Sequence, residues 1–137
     1  MSLSVVKQYS VLLINEPGAL KSFAELLMRE KVNMIALSQG VHYDAATFRL
    51  AITHDQEISH ILTKAGFTSV KTEAICIETQ DRPGLVYDMS SVLTKHGINI
   101  ATVYGAVTSE GRSRWIAVVN NITKALNALE ASGLFNE

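Results

Sequence analysis

The chain reads "NEPGAL" at residues 15–20 and "DRPGLV" at residues 81–86, one pattern repeated 66 positions on. In each, a short polar residue and a charged one precede Pro-Gly and two small or aliphatic residues. Sliding the sequence on itself by that offset extends the match both ways. Tyr9, Val11 and Leu13 fall on Ile75, Ile77 and Thr79, and Leu26-Leu27 falls on Val92-Leu93. Val32-Asn33 meets Ile98-Asn99, and "RLAI" at 49–52 meets "WIAV" at 115–118. One inserted residue then brings Leu62 and Gly66 onto Leu129 and Gly133. Self-similarity of this extent means two copies of one structural unit, too few for a solenoid, so the chain reads as a tandem pair of small domains.

Each copy reads alike. "QYSVLLI" (8–14) and "EAICIET" (73–79) are apolar and β-branched enough to be strands. Asn15 and Asp81 are expected to cap helices that start near Pro17 and Pro83. Leu20, Phe23 and Leu27 form the apolar stripe of the first helix, and Val86, Met89 and Leu93 that of its counterpart. Lys31 and Gly97 mark where these helices stop. Hairpins follow over 33–42 and 46–53, around "YDAA", and over 98–108 and 112–119, around "SEGR". A second helix is expected over about 55–65, and again over about 121–132. The order is β-α-β-β-α with a last strand to come. Residues 67–72 can supply it for copy one. Copy two has only "GLFNE" after its helix, so residues 3–7 are expected to complete its sheet; a three-stranded second sheet is the alternative.

Composition narrows the class. The chain has 137 residues, 47% of them hydrophobic and 18% charged, which suits a globular protein with a real core. A net charge of −1 without a basic run gives no electrostatic footprint for nucleic acid or an anionic membrane. No apolar run reaches the length of a membrane span, and the N-terminus lacks a secretory pattern. One cysteine cannot form an internal disulfide, so a cytoplasmic setting is expected.

A β-α-β-β-α-β unit of some 65 residues, with Pro-Gly between first strand and first helix, resembles the ACT domain. "NEPGAL" with "KVNMIAL" carries the resemblance over residues 8–72, and "DRPGLV" with "GINIATV" carries it over 73–137. The resemblance implies an α/β (α+β) two-layer sandwich: two ferredoxin-like ACT domains in tandem, related by a pseudo-two-fold. It also implies a stand-alone regulatory module that binds a small molecule, most often a free amino acid, between paired units. Carried over to this chain, the binding turn comprises Asn15, Glu16, Pro17, Gly18, Ala19 and Leu20 in one copy. In the other it comprises Asp81, Arg82, Pro83, Gly84, Leu85 and Val86. The start of the second strand is implicated as well: Asn33, Met34 and Ile35, and Asn99, Ile100 and Ala101.

The chemistry of these residues fits that implication. A helix N-terminus offers backbone N–H groups and partial positive charge to a carboxylate. Glycine at 18 and 84 lets a ligand approach the backbone. Asn33 and Asn99 each carry a donor and an acceptor, and Asp81 or Glu16 can pair with an α-ammonium. The copies differ where selectivity would be set: Glu16 aligns with Arg82, and Ala19-Leu20 with Leu85-Val86. The "DRPG" copy, with an acid beside an arginine, is the favoured site; the aliphatic surroundings of Leu85, Val86 and Ile100 suit an apolar amino acid.

Little else in the sequence carries chemistry. The four histidines, His42, His54, His60 and His96, lack metal-ligand spacing. Cys76 sits between two isoleucines as a small hydrophobe. "GRSRW" at 111–115 reads as solvated charge at a hairpin. No nucleophile, paired-carboxylate or phosphate-loop motif is present, so neither catalysis nor a cofactor is expected. Strands apolar on both faces point to a homodimer. Two functions stay open: an amino-acid-binding regulator acting on itself or on a separate enzyme, and an interaction scaffold that binds no metabolite.

Overall fold

The computed structural model describes residues 2–42, 45–108 and 110–135. Tyr43 and Asp44 of the first expected hairpin turn, and Ser109 of the second, lie outside the described residues. The chain divides into two compact units. The first is Lys7–Thr72; the second joins the residues before Lys7 to those from Glu73 onward.

In the first unit, β1 (Ser2–Ile14, here from Lys7) is followed by α1 (Ala19–Arg29) and the hairpin β2 (Met34–His42) and β3 (Ala45–Thr53). Helix α2 (Ser59–Lys64) and β4 (Thr68–Gln80, here to Thr72) complete it. The strand order is β2-β3-β1-β4. Alternate residues of β1 and β3 face the helices, so Tyr9, Val11, Phe48, Leu50 and Ile52 share a core with Phe23, Leu26 and Leu27 of α1 and with Leu62 of α2. Phe23 stacks on Phe48 with ring centroids 5.5 Å apart and meets the edge of Phe67 at 5.6 Å. Each such side chain contributes roughly 1.5–3 kcal/mol by leaving water.

The second unit repeats the plan. β4 from Glu73 leads through α3 (Leu85–Lys95) to the hairpin β5 (Ile100–Val107) and β6 (Arg112–Val119), and then to α4 (Ile122–Ser132). The strand order is β1-β4-β6-β5. Ile75 and Ile77 pack under Leu85, Met89 and Leu93 of α3 and Ala125 and Leu129 of α4, and Leu3 packs against the same cluster. Both units are therefore two-layer sandwiches with helices over one face of a sheet, the ferredoxin-like arrangement.

Four local expectations change. The helices begin two residues past the prolines, at Ala19 and Leu85, after cap residues Gly18 and Gly84 whose φ angles of 87° and 86° lie in the left-handed region. Neither Asn15 nor Asp81 caps a helix, because a left-handed glycine at the cap turns the chain before a side chain at those positions can reach the first N–H groups. The buried stripes also start elsewhere: Leu85, Met89, Val92 and Leu93 at i, i+4, i+7 and i+8, leaving Val86 exposed, while Leu20 is exposed in α1. Helix α2 is shorter than expected. Residues 55–58 are held instead by side chains: Gln56 bonds the Asn33 backbone, and Glu57 takes the Ser59 N–H at 2.9 Å.

The stops follow one design. Lys31 (φ 55°) and Gly97 (φ 69°) are left-handed, and Val32 N and Ile98 N close back on Leu27 O and Leu93 O, each at 2.9 Å. Phe67 N closes on Leu62 O in the same way after α2. These are Schellman closures, which satisfy the last carbonyls of each helix.

Candidate functional site

The turn after β1 is tied by three backbone bonds: Glu16 N to Ile14 O, Ala19 N to Glu16 O, and Ser22 N to Gly18 O, at 3.0, 3.2 and 3.0 Å. A cavity of about 430 Å³ opens against it. Glu16, Pro17, Gly18 and Ala19 line that cavity, with Ser22 one turn further along α1 and Leu12 to Ile14 at the end of β1. Gly66, Phe67 and Thr68 close its far side. Asn15 and Leu20 do not line it.

Electrostatics single out this helix end. No side chain caps α1, and its first turn carries no acidic residue, so the partial positive charge of its N-terminus is uncompensated from within the helix. Glu16 stands at the cavity as an exposed carboxylate. The arrangement presents donors and positive potential beside one negative group, with apolar surface from Leu12, Ile14 and Phe67. It matches a small zwitterion with an apolar side chain.

The second unit's turn is differently furnished. Arg82 folds across it: Nη2 lies 2.6 Å from Asp88 Oδ2 and donates to Leu134 O at 3.3 Å. Asp88 lies in the first turn of α3, where it already answers the helix dipole. Asp81 accepts a hydrogen bond from the buried Ser113 hydroxyl, and its N–H bonds Gly111 O at 2.8 Å. The acid and the arginine that made "DRPG" the favoured copy are thus both engaged inside their own unit. Leu85 is core and Val86 is exposed.

Neither unit brings its asparagine to its own turn. Asn33 lies beside Gln56, whose backbone carbonyl accepts from Lys7 Nζ at 2.6 Å, at the opposite end of β1 from the cavity. Asn99 receives the Asn120 side chain on its N–H at 3.1 Å, and Asn120 lies just past β6, whereas Asp81 pairs with the strand's start. What these backbones share is a bulge. The register shifts between Met34 and Ala36 and between Ile100 and Thr102, at Ile35 and Ala101. Sequence reading missed Leu12 to Ile14, Ser22 and the Gly66-Phe67-Thr68 wall. The i+4 spacing from Gly18 was a usable signal for Ser22; the wall requires knowing that α2 ends beside the turn.

Among the described residues no three His, Cys, Asp or Glu side chains gather as a metal site, and no helix is long and apolar enough to cross a membrane.

Comparison with known proteins gives one family and several structures. The family model described as "ACT domain pair" matches residues 4–130. A crystal structure of a protein from Bacteroides thetaiotaomicron superposes with a TM-score of 0.84 at 22% identity, covering 95% of this chain and 90% of that one. The ligand-free regulatory subunit of aspartate kinase from Thermus thermophilus superposes with a TM-score of 0.71 at 18% identity, covering 100% and 98%. Aspartate kinase from Clostridium acetobutylicum gives 0.63 at 16% identity, covering 98% of this chain and 34% of that chain. The superpositions establish a shared fold. No curated protein matches the sequence.

Proposed function

Since this chain belongs to the ACT domain pair family, we propose that it is a non-catalytic regulatory module whose Lys7–Thr72 unit binds a free amino acid. One observation carries the choice of site: the 430 Å³ cavity lies at the uncapped, acid-free N-terminus of α1. The ligand carboxylate takes the backbone N–H groups of Leu20 and Lys21, which the turn leaves without a backbone partner among the described residues, and its α-ammonium pairs with Glu16. An aliphatic side chain rests on Leu12, Ile14 and Phe67. The volume falls within the ~300–1,000 Å³ of small-molecule sites.

Several observations support the surrounding roles. Two of the structural neighbours are a regulatory subunit of aspartate kinase and an allosteric aspartate kinase, which favours output through an enzyme partner. Leu12 and Ile14, 54% and 67% exposed, favour association with a second copy. A buried free thiol at Cys76 suits a reducing cytoplasm. In the second unit, Arg82 seated in its own turn favours a structural role for that copy.

Thermal unfolding in the presence of each of the twenty amino acids tests the reading. A specific ligand at about a hundred times its Kd stabilises by ~2.7 kcal/mol and raises Tm by several degrees. A folded protein whose Tm moves with none of them contradicts the proposal and leaves the scaffold alternative.

A further inference from the structure

Both units carry a groove between their two helices, at places the repeat makes equivalent. In the first unit it is bordered by Leu26, Arg29, Glu30, Ile61 and Lys64. In the second unit the aligned positions are Val92, Lys95, His96, Ala128 and Ala131. The three positions at α1 and α3 differ by 66 and the two on α2 and α4 by 67, as the inserted residue requires. The long Ile61 and Lys64 side chains are thus replaced by two methyl groups. The second unit's groove has a volume of about 510 Å³ and is apolar along Val92, Ala128, Ala131 and Leu134.

Charge separates the two grooves further. Glu30 is replaced by His96, so no carboxylate lines the second groove among the described residues. Lys95 stands in the last turn of α3, where the helix dipole favours a cation, and has no hydrogen-bond or ion-pair partner among the described residues. His96 Nδ1 lies 2.9 Å from Val92 O, which fixes the ring and leaves Nε2 as its remaining polar atom. The Ser132 hydroxyl is already spent on Leu129 O and Leu134 N, at 2.7 and 3.2 Å. What remains is a methyl-floored channel with unspent cationic capacity at one end.

We propose that the α3–α4 groove of the second unit binds a small aliphatic carboxylate, its chain over Val92, Ala128 and Ala131 and its head on Lys95. The site is independent of the turn at Gly18 and of whatever ligand that turn takes. An apolar chain gains by leaving water against the alanine methyls, and the carboxylate gains a charge-assisted bond to an ammonium that needs no partner broken first.

Octanoate is the probe, titrated into full-length protein labelled with ¹³C at alanine methyls and followed by NMR, with 1-octanol as the uncharged control. The expected result is a saturable shift of the Ala128 and Ala131 methyl signals with octanoate, and a weaker response to octanol. Lys95→Met should raise the octanoate Kd by roughly tenfold, the size of one charged hydrogen bond. Ala131→Lys, which restores the first unit's residue at an exposed position, should abolish the Ala128 shift while far-UV circular dichroism stays unchanged. No saturable shift, or equal binding of octanoate and octanol that Lys95→Met leaves intact, would overturn the proposal.

Discussion

The Arg82 guanidinium lies 2.6 Å from the Asp88 carboxylate, across the first turn of α3, and the aligned turn of α1 has nothing of the kind. Two turns that align residue for residue at Pro-Gly therefore differ in charge and in openness. The pair is partly exposed, with side-chain accessibilities of 38% and 27%, so screening limits its worth to about 1 kcal/mol or less. Arg82→Ala is expected to cost no more than that in urea denaturation and to leave amino-acid affinity unchanged. A loss of affinity would move the site to the second unit.

Gly18 and Gly84 test the backbone side of the turn. A Cβ built on Gly18 meets nothing within 4 Å, so its substitution is resisted by the left-handed φ alone. Gly18→Ala should destabilise by roughly 1–2 kcal/mol, the cost of that conformation for an L-residue. Gly84→Ala, whose Cβ lies 3.9 Å from Arg82 Nη1, should cost about the same. Paired denaturant titrations read both, and a neutral result at either position contradicts the assigned turn.

Gly105 is constrained differently. Its φ is unexceptional, but a Cβ there would lie 2.5 Å from the Trp115 ring and from Arg114 O. Trp115 packs against the second unit's core from the strand directly opposite. Gly105→Ala is expected to displace the indole, shifting tryptophan fluorescence and lowering stability by ~1–3 kcal/mol. Since this is the chain's one tryptophan, the emission change reports this site directly.

How much of this was legible beforehand depends on which interactions set each feature. The duplication, the strand-helix order and the stops at Lys31 and Gly97 are local, and a 66-residue alignment displays them. The cap position was not legible, because Asn15 and Asp81 are good capping residues by type and only the glycine φ angles exclude them. The short α2 depends on Tyr9, Lys7 and Lys71 meeting Glu57 across 48, 50 and 14 residues of sequence. The engagement of Arg82 was not legible for a similar reason: it meets Asp88 and Leu134 only after folding.

Glu57 gives the pH dependence. Its carboxyl is held well below the usual carboxylate range, first by Ser59 and then by Tyr9 and Lys71. The Tyr9 hydroxyl donates to it at 2.8 Å and the Lys71 ammonium at 3.2 Å. The folded-state pKa is depressed, so the stabilisation is fully present above the unfolded value of about 4.3 and is lost as pH falls below it. Stability measured from pH 6 down to pH 2 should therefore decline, and Glu57→Gln should flatten that decline. An unchanged acid limb in the variant would show that other carboxylates carry it.

Cys76 is buried in β4, and burial pushes its thiol pKa up. A disulfide reagent should leave the native protein unmodified over minutes and label one thiol per chain in denaturant. Rapid labelling of the folded protein would contradict the packing of the second unit's sheet.

On the proposed function, the turn at Gly18 holds an amino acid and the turn at Gly84 does not. Isothermal titration calorimetry of the wild type, Glu16→Lys and Arg82→Ala against the amino acid that raises Tm tests it most directly. One site per chain is expected, lost in Glu16→Lys and retained in Arg82→Ala. Binding that survives Glu16→Lys and disappears in Arg82→Ala would contradict the account.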